Sequence, residues 1–313
     1  MNSILPAPNI RTPEPRVEVA WFSALCSDDY EFLGVPDPLL QSSYEHCRDI
    51  TLAAEAGGFD NILLPSGYGL GIDTLSFAAA IAPQLRRLKL LAAIRCGEVW
   101  TPQLARQIAT IDRMLGGRLS INIISSDLPG EVLDGGARYR RTLEVMQILR
   151  DLLNGQAIDF QGEFHTLKLD PPRIRTVSGK APLFYFGGLS EPAREVAAAG
   201  ADVYLMWPDR LEAVRDIVDD LKARAARHGR TLRFGYRVHV IVRDTETEAR
   251  AAARRLMSKL DARTGEQIRG RSLDSQSVGV KRQAELRDDA DAEGFVEDHL
   301  WAGIGRALSL IHI

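Results

Sequence analysis

The chain has 313 residues, 45% hydrophobic and 26% charged, and its 39 basic and 42 acidic side chains leave a net charge of −3. That balance, with no basic stripe, speaks against nucleic acid as a partner and against adhesion to anionic membranes. No apolar run reaches the roughly 18 residues of a membrane span, the opening MNSILPAPNIRTPEPR lacks the apolar core of a signal peptide, and Cys26, Cys47 and Cys96 show no CxxC spacing, so a cytoplasmic chain with neither a disulfide framework nor a metal site is expected.

Residues 1–15 are proline-rich and read as an irregular surface arm. Val17 to Leu25 reads as the first strand and Tyr44 to Gly57 as the first helix. Ile62 to Leu64 is a short apolar strand closed by Pro65-Ser66-Gly67, and Thr74 to Ala82 is the next helix. Leu88 to Ile94 is a nearly unbroken apolar run, as a strand covered on both faces of a parallel sheet requires. Thr101-Pro102 then supplies a cap followed by proline at the first helical position, and Leu104, Ile108, Ile111 and Leu115 recur at helical spacing up to Gly116-Gly117. A second strand follows, ending in Asn122, Ser125, Ser126 and Asp127, so Leu88 to Asp127 forms a right-handed βαβ crossover.

Tyr139 to Leu153 is an amphipathic helix, and the alternation from Asp159 to Leu169 predicts a hairpin outside the main repeat. Leu183 to Phe186 is the fifth strand, closed by Gly187-Gly188, and Ser190 opens a helix that ends at Gly200. Val203 to Met206 is the sixth strand, Leu211 to His228 a long helix with i,i+4 charge pairs, and Phe234 to Val242 the seventh strand. Strands alternating with helices point to one (β/α)8 TIM-barrel domain over 1–313, with an open doubly wound sheet as the alternative. The first strand is not followed by GxGxxG, which weakens a dinucleotide-binding reading. Ser258 to His299 is charged and punctuated by Gly265, Gly270 and Gly279, as expected of an inserted set of helices and loops. No eighth strand follows, so the barrel is expected to stop before its last strand and helix; Leu308 to Ile313 reads either as a strand fragment or as a chain cut short.

In a barrel the strand ends converge on one mouth, which would gather Ser23, Cys26, Ser66, Arg95, Asn122, Ser125, Gly187, Gly188, Trp207, Arg237 and His239. Gly187-Gly188-Leu189-Ser190 permits close backbone approach and a capped helix whose unpaired N–H groups favour a phosphate, although an ordinary tight turn has the same residues. Arg237 and His239 alternate along the seventh strand, so both should face one side while Val238, Val240 and Val242 face the other. Together they could bind an anionic substrate and manage a proton; the plainer alternative is a buried ion pair beside a core histidine. Arg95 could be a second anion-binding group or an ion-pair partner. Asn122 interrupts an apolar strand and must bond either a ligand or nearby backbone. Tyr139 could donate to a phosphate from the start of its helix, or simply pack.

The segments ILLPSG, RLKLLAAIR, ARQIATIDRMLGGRLSINIISS, ARYRR, PLFYFGGLSEPAREVAA, ADVYLMW, RFGYRVHVIVRDTETEA and HLWAGIG occur in one order from the first strand to Gly305. Together they resemble the bacterial luciferase-like flavin-dependent monooxygenases, and within them the alkanesulfonate monooxygenase branch. The resemblance implies a TIM barrel that uses reduced FMN, delivered by a separate NAD(P)H-dependent flavin reductase, and O2 to convert an alkanesulfonate or related organosulfur compound into an aldehyde and sulfite. It assigns Gly187, Gly188, Ser190 and Tyr139 to the flavin phosphate, and Asn122 with Ser125 to the flavin ring. Arg237 and His239 match the family's active-site pair, while Trp207, Arg95 and Cys26 fall at the substrate end. Cys26 stands where the branch has histidine, and the stretch from Gly67 to Asp73 lacks the branch's cysteine. The family pattern continues past Gly305 with an arginine-bearing lid and an eighth strand, and suggests dimers or tetramers. A sulfone monooxygenase, a deazaflavin oxidoreductase and a non-catalytic flavin-binding barrel are the alternatives.

Overall fold

The computed structural model describes residues 17–27, 29–69, 71–270, 277–297 and 300–306. The predicted arm, 1–15, and the terminal Leu308 to Ile313 lie outside them. Strands β1 (Ala20–Phe22), β2 (Asn61–Leu64), β3 (Lys89–Arg95) and β4 (Leu119–Ile124) alternate with helices α1 (Tyr44–Ala56), α2 (Thr74–Ile81) and α3 (Thr101–Met114). Helix α4 (Gly135–Leu153) and the antiparallel hairpin β5 (Ile158–Gln161) and β6 (Thr166–Leu169) come next. Then follow β7 (Phe184–Phe186), α5 (Glu191–Gly200), β8 (Val203–Met206), α6 (Leu211–Arg227) and β9 (Arg233–Tyr236). The remainder comprises α7 (Glu246–Met257), α8 (Ala262–Gly270), α9 (Val278–Asp288) and a small hairpin of β10 (Phe295–Glu297) and β11 (Leu300–Trp301).

Seven strands form one sheet in the order β1-β2-β3-β4-β7-β8-β9, and every neighbouring pair is parallel. Because each connection is a strand–helix crossover, all seven strands point the same way and their carboxyl ends share one rim. Alternation divides their side chains into two sets. Leu90, Ala92 and Ile94 of β3, Ile121 and Ile123 of β4, Phe184 and Phe186 of β7, and Tyr204 and Met206 of β8 pack with helix residues such as Ile108, Leu149 and Leu221 into one apolar core. The other parity runs through successive ladder partners, placing Ala93, Asn122, Tyr185, Val203 and Arg233 at one level of the opposite face.

That second face is the inside of a curled sheet. The Arg237 guanidinium, just past β9, lies 4.7 Å from the ring centroid of Phe22 on β1, the strand at the far edge of the sheet order. A flat ribbon would hold those edges several strand spacings apart, at about 4.8 Å each. The architecture is therefore the TIM barrel, with seven parallel strands among the described residues.

Two strands are shorter than the sequence predicts. The apolar run expected to pair from Phe234 to Val242 does so only to Tyr236, opposite Met206, the last residue of β8. Arg237 N–H still reaches the Met206 carbonyl at 2.8 Å, but the ladder has no further partner. Val238, Val240 and Val242, expected to face the side opposite Arg237 and His239, are 43%, 71% and 73% exposed, and without a ladder to enforce alternation the first two line the same cavity as His239. Val17 to Leu25 likewise contracts to Ala20–Phe22, limited by the short β2 beside it. Among the described residues no helix is long and apolar enough to cross a membrane, and no group of three or more His, Cys, Asp or Glu could hold a metal ion.

Entry into β3 is fixed by Glu55 of α1. One of its oxygens accepts the backbone N–H groups of Arg86, Arg87 and Leu88 at 3.0, 2.8 and 2.8 Å. Burial alone would raise its pKa, but these donors outweigh that cost and hold the carboxyl below its usual range. Glu55→Gln should lower unfolding free energy by about 1–2 kcal/mol at neutral pH, as removing a charge-assisted acceptor does. The difference should be full above the ordinary carboxylate range and shrink as pH falls through the lowered pKa, read by urea titration across pH.

Candidate active site

The rim gathers the turn after β7, the segment after β8 and the segment after β9. In the turn, backbone crowding rather than composition demands glycine. A Cβ on Gly187 would lie 2.4 Å from the Leu205 carbonyl oxygen, and one on Gly188, with φ of 155°, would lie 2.7 Å from the Ala193 Cβ. The Gly188 carbonyl accepts a hydrogen bond from the buried Tyr204 hydroxyl at 2.8 Å. Ser190 caps α5, its Oγ accepting from Ala193 N–H at 3.4 Å.

Tyr139 joins this turn from the first part of α4. Its ring meets Phe186 edge-on at 6.4 Å, and its hydroxyl stands 3.7 Å from the position a Gly188 Cβ would take. The donors around the turn are thus a phenol, a serine hydroxyl and the N-terminus of a helix, a set suited to a phosphate. The acid in the first turn of α5, Glu191, is engaged by both terminal nitrogens of Arg224, at 2.6 and 2.7 Å. That pairing draws negative charge away from the turn.

On β4, Asn122 is half-buried on the inner face, level with Ala93 and Tyr185. Ser125, just beyond the strand, accepts the Thr142 hydroxyl of α4 at 2.8 Å. Arg95 is only 4% exposed and ties three strand ends together. Its guanidinium donates to Ser126 Oγ and, at 2.9 Å, to the Ser66 carbonyl, and it lies 3.6 Å from the Glu98 carboxylate. Cys26 is buried just beyond β1, next to Leu25, whose carbonyl accepts Ile72 N–H at 3.2 Å; the loop after β2 therefore crosses here.

His239 lines a chamber of about 490 Å³ beside the rim. Its walls are Ala249, Ala253 and Leu256 of α7, Leu286 of α9, and Trp301, with Gln283 adding an amide. His239 is exposed at the surface of the chamber. Even so, desolvation by the surrounding protein, reinforced by the charge of Arg237, pushes its pKa from 6.5 down to about 4. The imidazole is consequently neutral near pH 7 beside a permanent cation, able to accept a proton.

The model for luciferase-like monooxygenases matches residues 32–306. The chain belongs to that family. It is 66% identical over 303 residues to the sulfoquinovose monooxygenase of Novosphingobium aromaticivorans, covering 95% of this chain and 84% of the relative. The sulfoquinovose monooxygenase of Agrobacterium fabrum is 54% identical over 295 residues, covering 93% and 76%. Among solved structures, riboflavin lyase in complex with a modified FMN and riboflavin superposes with a TM-score of 0.74 at 14% identity, over 93% of this chain and 76% of that one. This luciferase-like chain is therefore an enzyme, a monooxygenase.

Two further residues stand out in this luciferase-like chain that strand-end reasoning did not single out, one inside the barrel and one just past β8. Tyr185 faces the barrel interior, where burial raises its pKa and Glu18 adds to the effect. The FYF alternation of β7 carries that signal. Asp209, 7% exposed, is bound by the Arg282 guanidinium through two hydrogen bonds of 2.7 and 2.8 Å. Because they stand 73 positions apart, no local pattern joins that pair.

Assigned NMR titration of His239 should give a midpoint near pH 4 rather than 6.5. Arg237→Ala, which removes the repelling charge, should move the midpoint upward. Since the unfolded chain protonates this group near 6.5 and the folded one near 4, folded-state stability should fall as pH drops through that interval, and His239→Gln should flatten the slope.

Proposed function

We propose that this monooxygenase is the oxygenating half of a two-component system, using reduced FMN and O2 to cleave the C–S bond of a sugar sulfonate of the sulfoquinovose type. The observation that carries the reading is the shared rim, where the Ser190-capped turn and the Arg237–His239 segment follow the carboxyl ends of β7 and β9, the two parallel strands that flank β8. Such a site must hold two anions, a flavin phosphate and a sulfonate. The turn suits the first and Arg237 the second. The name of the 66%-identical relative supports the choice of sugar sulfonate.

In this reading Gly187, Gly188, Ser190 and Tyr139 hold the FMN phosphate, and Asn122 and Ser125 flank the ring. When bound, reduced FMN supplies the two electrons with which O2 is split between substrate and water. Arg237 anchors the sulfonate, assisted by Arg95 from below the rim, and Trp207 and Cys26 line the substrate end. An imidazole nitrogen of His239 takes the proton from the hydroxyl formed on the sulfur-bearing carbon; as the C=O bond forms, the C–S electron pair leaves with sulfite. The reading includes a separate NAD(P)H-dependent flavin reductase as the source of reduced flavin, a cytoplasmic location and a homo-oligomeric assembly. A linear alkanesulfonate is the second reading, favoured by the apolar walls of the chamber beside His239.

With a flavin reductase and NADH present, sulfite release from sulfoquinovose should exceed that from hexanesulfonate. The reverse order favours the second reading, and tight binding of reduced FMN with no sulfite from either sulfonate overturns both. His239→Ala should cut turnover by about 10²-fold or more, the usual worth of a general base. Ser190→Ala should instead weaken FMN binding several-fold and cost about 1 kcal/mol of stability through the lost cap.

A further inference from the structure

Trp207 is the first residue past β8, and α9 rather than the barrel itself fixes its position. The helix meets the rim segment at three successive points. A Cβ on Gly279 would lie 2.5 Å from Trp207 Cζ3 and within 3.2 Å of the two neighbouring ring carbons, so one edge of the indole's six-membered ring presses against bare backbone. One turn on, Arg282 grips the buried Asp209 carboxylate through Nε and Nη2 at 2.8 and 2.7 Å. Beside it, Gln283 donates to the Pro208 carbonyl at 2.8 Å. Trp207 is nevertheless only half-buried, which leaves indole surface open at the rim.

We infer that Gly279, Asp209 and Arg282 are positioning residues for substrate choice: they seat the Trp207 indole as a rigid platform for the ring of a sugar sulfonate. This rests on the function proposed above. The physical reason is that a pyranose presents a face of C–H groups that packs on an aromatic ring only when the ring is held at one tilt, whereas a linear alkyl chain adapts to several. With bare backbone hard against one ring edge the indole has little room to rock, and the two-point Asp209–Arg282 bond keeps α9 from sliding past it. An alanine at 279 would force the indole to tilt. Lysine at 282 would replace the fork by one point charge and let the helix shift while keeping its charge.

The test uses the full-length chain with Gly279→Ala and Arg282→Lys, and with Asp209→Asn as a third variant if it folds. Trp207 is followed by the fluorescence difference between each protein and its Trp207→Phe counterpart, with acrylamide quenching. Steady-state sulfite release is compared for sulfoquinovose and hexanesulfonate. Gly279→Ala and Arg282→Lys should raise quenching of Trp207 and raise KM for sulfoquinovose by about tenfold, with kcat and FMN affinity within about twofold, so that the preference over hexanesulfonate falls by a similar factor. Unchanged Trp207 emission and quenching in both variants overturns the seating role. Altered emission with an unchanged substrate preference overturns the role in specificity. Should the wild-type chain release sulfite from no sulfonate, the parent function fails, and the fluorescence comparison alone decides whether α9 seats the indole.

Discussion

The register of the parallel ladder is the constraint on which the rest depends. Once Ala93 sits opposite Asn122, and Asn122 opposite Tyr185, every alternate residue is committed either to the apolar layer under the helices or to the barrel interior. A slip of one residue would exchange the two sets, driving Asn122 and Tyr185 into the core and Ile121 and Phe184 into the interior. The cost of burying an amide and a phenol without partners makes such slips prohibitive. The same polar side chains that make the interior usable as a site therefore also enforce the pairing that builds it.

Electrostatics at the rim follow a second rule: acids close to the mouth are neutralised by arginines from neighbouring elements. Glu191 is held by Arg224, Asp209 by Arg282, and Glu98 lies 3.6 Å from Arg95. The positive end of α5 and the Arg237 guanidinium stand at the same end of the sheet. His239 is neutral in the same field because it loses water and gains a cationic neighbour. A protonated imidazole there would add charge without adding a base, so the local field selects the form able to accept a proton.

Much of this organisation is legible in the sequence, for identifiable reasons. Helices α3 and α4 and strands β3 and β7 carry their periodicity in uninterrupted runs, and the Gly187-Gly188-Leu189-Ser190 turn names its own constraints. The errors fall where a neighbour decides the outcome. The valines after Tyr236 have every property of strand residues, yet β8 ends at Met206 and offers them no partner. The partners of Arg95, Ser66 and Ser126, come from two other loops, so no local pattern announces those bonds. The bond between Asp209 and Arg282 belongs to the docking of α9, which no periodicity in the charged segment from Ser258 to His299 reveals.

Strand β8 links the two halves of the site more closely than its four residues suggest. Its Tyr204 hydroxyl holds the Gly188 carbonyl, and the Leu205 carbonyl occupies the space a side chain at 187 would need. One step further, the same strand delivers Trp207, Pro208 and Asp209 to α9. The glycine turn packs against the second half of one short strand and the indole follows its last residue, so neither can shift along the barrel axis without straining the other. In a site that must align a phosphate-anchored ring with a sulfonate-anchored substrate, a shared rigid support fixes the relative position of the two at no further cost in conformational entropy, because β8 is already ordered by the fold.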